Sequence, residues 1–186
     1  MSGLKLIGIL GKSRVGKDTL ATILANDLGY AIHRLSMPVK DACHKLFNIP
    51  RDDLESDAKE VVDPRYEKTP RDLLVWLTNA VQRDFPPEFF VERMLSECSE
   101  KGIIIPDVRF ERDVNLLRKH GAVIIKVTRV DAPVCHEHES SIDALHGDFL
   151  LENNSTLYDF EKKAYTIAAC LCDERSWGDG DFGRHR

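Results

Sequence analysis

Gly11, Gly16 and Lys17 stand at the spacing GxxxxGK inside "GKSRVGKDT", directly after the apolar run "LKLIGIL". A loop of this spacing between a strand and a helix can wrap a polyphosphate. The glycines allow the bends and a close backbone approach, main-chain amides and the next helix's amino terminus face the anion, and the lysine reaches the outer oxygens. The usual pattern continues with Ser or Thr, but here Asp18 follows Lys17, and Thr19 comes after it. A carboxylate beside a polyphosphate is repulsive unless a cation lies between them, and Mg2+ takes oxygen ligands while keeping several waters. Asp18 is therefore a candidate metal ligand, directly or through water, and Thr19 a candidate partner for an inner phosphate. An acid in a first helical turn also simply suits the helix dipole, and both readings stand.

A second carboxylate, Asp107, lies in "IIIPDVRF" at the carboxyl end of an apolar run. Ligands of open parallel sheets bind at that edge, where an acid can hold magnesium's water shell. Pro106 lacks an amide proton and suits a strand's end. Arg109 falls on the same side as Asp107 if the chain stays extended. Phosphoryl transfer needs charge neutralisation more than an acid or base, and an acceptor that is itself a phosphate is mostly dianionic near neutral pH. Arg71, Arg83, Arg109 and Arg129 are the candidate clamps. Trp76 and Arg83 are seven residues apart and share a helical face, so they could receive a base and a phosphate, although Trp76 could equally be core. Arg129 begins the polar stretch 129–147, where a closing lid would sit. In "CHEHES", Cys135, His136 and His138 lie together, but no second ligand pair stands at a familiar zinc spacing. A loop contacting phosphate or solvent is the expectation there.

The elements that must hold these groups can be read from periodicity. Strands are expected at 4–10, 30–36, from 102 to about 109, 122–128 and 148–153. Helices are expected at 17–28 with Gly29 as its stop, from Pro38 to about Phe47, and from Pro70 with Thr69 as cap and Asp72 in the first turn. Further helices are expected over 87–100, 111–120 and from Ser155 or Thr156 to about Asp173. Residues 48–68 are charged and carry no clear period. Strands alternating with helices imply a three-layer α/β/α domain around a five-stranded parallel sheet. We expect one such domain over 1–175, with a helical region at 36–100, a lid-like loop at 129–147 and a loose tail at 176–186.

The chain has 186 residues and a formal net charge of −5, which gives no general grip on nucleic acid or anionic lipid. A small anionic ligand would need a local cation cluster. Five cysteines, an odd number without a CxxC pair, suit free thiols in a reducing cytoplasm. No apolar stretch approaches the roughly 20 residues of a membrane span, and a cytoplasmic protein is expected.

Together, "GKSRVGKDT", "RLSMPVKDACHKLF", "TPRDLLVWLTNAVQRD", "IIIPDVRFERDVNLLRKHGAVIIKVTR", "HESS" and "DFLLENNSTLYDF" resemble, in that order, the deoxynucleoside monophosphate kinases, a branch of the P-loop kinases common in bacteriophages. The resemblance spans most of residues 4–170, and GKD(T) is usual in that family. It implies a P-loop NTPase fold of the nucleoside monophosphate kinase type. The implied activity is transfer of the γ-phosphoryl group of MgATP to a deoxynucleoside monophosphate, in the host cytoplasm if the source is a phage. It implies that Gly11, Gly16, Lys17, Asp18 and Thr19 hold ATP and Mg2+, and that Lys17, Arg83, Arg109 and Arg129 neutralise charge. Lys40, Arg71 and Arg83 are implied for the monophosphate pocket, joining Trp76, Asp107 and Arg109 as candidate substrate-binding residues; Arg129 and His138 are implied for the lid, and Asn153 for the neighbourhood of the adenine. The family often has His-x-Ser-Glu where this chain has His138-Glu139-Ser140-Ser141. The expected partners are the small-molecule acceptor and ATP, with no nucleic-acid polymer and no membrane; pairing into a homodimer is left open. Three rivals are a phosphomevalonate kinase, which resembles this family in GKxxxGKD and Asp-x-Arg, a non-catalytic nucleotide switch, and a metal-dependent interaction module built on the Cys–His loop. No Asn-Lys-x-Asp stretch supports the guanine-specific kind of switch.

Overall fold

The computed structural model describes residues 4–99, 101–132 and 139–172. The chain divides into two compact units, Met1–Arg34 with Met94–Arg186, and Leu35–Arg93.

The first unit is built on five parallel strands: β1 (Lys5–Leu10), β2 (Ala31–Ile32), β3 (Gly102–Val108), β4 (Val123–Thr128) and β5 (Phe149–Glu152). Their order is β2-β3-β1-β4-β5. β1 is the switch point, because the chain fills one side of the sheet before it crosses to the other. Ligands of open α/β sheets bind in the crevice at such a point, beyond the carboxyl ends of the strands. Both faces of β1 are buried, which explains its unbroken apolar run. Ile7 and Ile9 pack into a core with Leu20, Leu24, Phe160, Ala164 and Leu171. Those partners belong to α1 (Lys17–Leu28) and α8 (Leu157–Cys172). On the opposite face, α6 (Glu111–Lys119) covers β1 and β4. The three-layer arrangement expected from sequence is the one found.

The second unit is helical. It contains α2 (Met37–Phe47), α3 (Arg51–Glu55), a 3-10 turn (Asp57–Glu60), α4 (Pro70–Asp84) and the start of α5 (Phe89–Glu97). Cys43, Ile49, Leu54 and Leu73 form a small core. α4 begins as its sequence dictates: the Thr69 hydroxyl accepts from the Asp72 amide at 3.0 Å, and the Asp72 carboxylate accepts from the Thr69 amide at 2.9 Å. Gly29 closes α1 in the left-handed conformation, as expected.

Three expectations need correction. The second strand is Ala31–Ile32 rather than 30–36. The His33 amide still bonds the Ile104 carbonyl at 2.9 Å, but Arg34 then pairs with Asp18 and the chain turns into α2. Pro106 lies within β3, where the pairing with β1 slips by one residue: Gly8 is level with Ile105 and Leu10 with Val108. The bulge on β3 accommodates a residue that cannot donate to the ladder. The last strand of the polar region is preceded by a short helix, α7 (Glu139–Asp143), where only irregular chain was expected. The expected tail and the Cys135, His136 and His138 cluster lie outside the described residues.

Candidate active site at the phosphate loop

Gly11 leaves β1 where β1 lies beside β4. A side chain here would bring its Cβ to 2.5 Å from the Val127 carbonyl oxygen, so only glycine lets the loop start so close to the neighbouring strand. Gly16 ends the loop with φ at +107°, a conformation that side chains resist, and a Cβ there would sit 2.8 Å from Asn153 Nδ2. As the cap of α1, Gly16 has no side chain to satisfy the first-turn amides, which suits a helix end meant for an anion. Asn153, in the turn after β5, donates from Nδ2 to the Val15 carbonyl at 2.9 Å and so braces the loop from outside. Val15 is buried. Lys17 donates its ammonium to the Lys12 carbonyl, folding back over its own loop.

Asp18 and Thr19 are exposed in the first turn of α1. Asp18 Oδ1 accepts from Arg34 Nη2 at 2.7 Å. Its side chain is 72% exposed, so the pair is readily exchanged. Arg34 was missed in sequence because it falls inside the run "YAIHRLS". A strand that stops at Ile32 instead leaves it at the carboxyl edge, beside the loop. Lys12, an unspecified position of the motif, pairs with Asp143 of α7 at 2.7 Å. Lys126 of β4 donates to the Asp143 and Leu145 carbonyls at 2.9 and 2.7 Å, capping the carboxyl end of α7. No sequence period reveals these links, because both join segments distant along the chain.

Asp107 and Arg109 flank Val108, which is level with Leu10, the last residue before the loop. Asp107 is half-buried and Arg109 exposed. Nearby on α6, Asp113 is buried, and burial pushes its carboxyl up to about 6; Arg112 and the Phe110 backbone pull the other way, and Asp107 adds to the rise. Arg112 lies over the Phe110 ring at 4.6 Å. Arg129 follows β4 at the same edge and is exposed. The carboxylates suit a Mg2+ held chiefly by a ligand's oxygens and water, since such an ion needs only one or two protein carboxylates. Among the described residues no group of three or more His, Cys, Asp or Glu forms a protein-only cage.

The other expected residues belong to the helical unit. Lys40 pairs with Glu55 at 3.2 Å and Arg71 with Glu60 at 2.6 Å. Trp76 is 56% exposed, packed edge-on to Phe47 at 6.2 Å, and so is not core. Arg83 forks onto Asp84 at 3.0 and 2.8 Å and is largely exposed. Arg71 and Trp76 are five residues apart, about 140° around a helix, so α4 presents them on different sides. His138 lies outside the described residues.

The sequence pattern of the family described as deoxynucleotide monophosphate kinase matches residues 72–164, half of the chain. A protein of Acanthamoeba polyphaga mimivirus, named "Putative deoxynucleotide monophosphate kinase", is 25% identical over 187 residues, covering 89% of this chain and 95% of that protein. Among solved structures, dephospho-CoA kinase from Campylobacter jejuni is 15% identical with a TM-score of 0.48, covering 92% of this chain and 100% of that one. A gluconokinase from Sinorhizobium meliloti 1021 is 16% identical with a TM-score of 0.46, covering 94% and 95%.

Proposed function

Because the chain belongs to the deoxynucleotide monophosphate kinase family, we propose that this nucleotide kinase moves the γ-phosphoryl group of ATP to a deoxynucleoside monophosphate, with Mg2+. The observation that carries the reading is the loop Gly11–Thr19, which leaves the switch-point strand and opens α1 through a glycine cap. In this reading the main-chain amides of the loop bind the β-phosphate, and Lys17 leaves the Lys12 carbonyl for the β and γ oxygens. Thr19 bonds an inner phosphate, and Asn153 keeps the loop in shape beside the adenine. Bound Mg2+ neutralises charge on the transferring group. Asp18 and Asp107 would hold it, Asp18 by giving up Arg34, which then becomes one more cation at the loop.

Lys40, Arg71, Trp76 and Arg83 serve the acceptor, with Arg109, Arg129 and His138 completing charge neutralisation. A phosphate acceptor is already mostly dianionic at neutral pH and needs no general base. The rate should therefore respond to cations more than to any acid–base pair.

The test is ADP release measured with each deoxy- and ribonucleoside monophosphate and with phosphomevalonate as acceptor. Turnover that depends on a deoxynucleoside monophosphate is expected, and it should fall at least ~10²-fold in Lys17→Ala, the scale of losing one preorganised electrostatic donor. Turnover supported only by phosphomevalonate, slow ATP hydrolysis indifferent to every acceptor, or full activity in Lys17→Ala would contradict it.

A further inference from the structure

The last helix, α8, has two faces, and the core uses one of them. Phe160, Ala164, Ile167, Ala168 and Leu171 are buried in the core of the sheet unit. Tyr158, Tyr165 and Cys172 follow one another at intervals of seven residues. They therefore form a nearly straight line along the helix, drifting only ~20° per step, and the line lies on the side turned away from the core. Tyr158 is 72% exposed and Tyr165 52% exposed, and Cys172 is exposed too. Between and beside them is a hollow lined by Tyr158, Glu161, Lys162, Tyr165, Thr166 and Ala169. Aromatic side chains one heptad apart on an outer face, around a hollow, suit packing against another helix.

The charges beside the line identify that partner. Glu161 and Lys162 stand midway between the two tyrosines. At ~100° per residue they flank the line on opposite sides, about 50° each way. If two copies of α8 lie side by side and parallel, a two-fold axis between them sets the left flank of one helix against the right flank of the other. Glu161 then meets Lys162 of the second copy, and Lys162 meets its Glu161. Tyr158, Tyr165 and Cys172 each face their own counterparts. An antiparallel pair would instead set acid against acid and base against base. The face is thus complementary to itself in one orientation.

We propose that the outer face of α8 is an interface between two copies of this chain, with the two helices parallel about a two-fold axis. Nothing in this interface depends on the reaction proposed above. It also separates two neighbouring thiols. Cys172 lies on the line, whereas Cys170 is about 160° around the helix from it and faces away from the second copy.

Sedimentation equilibrium of the full chain, under reducing conditions and across the micromolar range, should give the mass of two chains. Glu161→Lys sets base against base on both flanks and should weaken self-association at least ~10-fold, the direction of like-charge juxtaposition at an interface. Lys162→Glu should do the same with acids. Mixing the two variants should restore the dimer, because each supplies the charge the other lacks. Circular dichroism spectra matching wild type show that each variant folds. A short bismaleimide, which alkylates two thiols and tethers them, should give a dimer band in wild type and in Cys170→Ser, and the band should be lost in Cys172→Ser. A wild-type mass of one chain, a dimer indifferent to Glu161→Lys, a mixture that stays monomeric, or a crosslink that is absent or survives Cys172→Ser would overturn the proposal.

Discussion

At the scale of the residue, the distinctive substitution is Asp18, where a hydroxyl is usual. The structure gives that carboxylate a guanidinium partner, Arg34, at 2.7 Å, so the acid arrives at the loop already paired. A paired carboxylate adds little repulsion to a polyanion, and in the proposed function an exchange of Arg34 for Mg2+ would leave its charge answered throughout. Asp113 is the opposite case: it is buried, and its carboxyl is raised to about 6. In the unfolded chain that carboxyl would titrate near 3.9, so the folded protein holds the proton more tightly. Its contribution to stability is therefore greatest below about pH 4, fades as the pH rises to about 6, and stays flat above. A gap of about two units corresponds to at most ~3 kcal/mol. Asp113→Asn should therefore be more stable than wild type by about 1–3 kcal/mol at pH 7.5, with the advantage shrinking towards pH 4. Urea midpoints measured across that range test this. Parallel curves for the two proteins would show that burial does not govern this carboxyl.

At the scale of the element, the segments with local signals were legible. The cap, proline and acid of "TPRD" announced α4, Gly29 announced the end of α1, and the apolar runs announced β1, β3 and β4. Elements held by distant partners were not. The region 48–68 folds into α3 and a 3-10 turn, and its charges are answered by Lys40 and Arg71 from flanking helices. Likewise α7 is tied to Lys12 and Lys126, links that no window of neighbouring residues contains. The same distance hid Arg34, whose partner Asp18 lies 16 residues away, while the loop glycines stood out. In the proposed function the capping box bears on the acceptor as well as on stability, since Arg71 sits between its two members. Thr69→Ala should lower stability by about 1 kcal/mol, as loss of a cap does, and should also raise the acceptor KM by letting the first turn of α4 fray. A urea midpoint equal to that of wild type would remove the cap from the account.

At the scale of the whole molecule, a chain of net charge −5 would need local clusters of cations to take the two anionic substrates of the proposed function. The Met1–Arg34 and Met94–Arg186 unit gathers Lys12, Lys17, Arg34, Arg109 and Arg129 at or near the carboxyl edge of its sheet. In the Leu35–Arg93 unit, Lys40 of α2 pairs with Glu55 and Arg71 of α4 with Glu60. One of that unit's buried clusters joins Cys43, Ile49, Leu54 and Leu73. No described helix is long and apolar enough to cross a membrane. The parallel sheet was readable because it follows from alternating strands and helices, whereas its strand order, β2-β3-β1-β4-β5, was not, because no local signal says which strands pair.

A crystal structure with MgATP bound tests the central claim most directly. The account predicts the β-phosphate inside the turn from Gly11 to Thr19, about 3 Å from its main-chain nitrogens, with the Lys17 ammonium moved from the Lys12 carbonyl onto phosphate oxygen. A nucleotide bound elsewhere, with Lys17 still resting on Lys12, would contradict it.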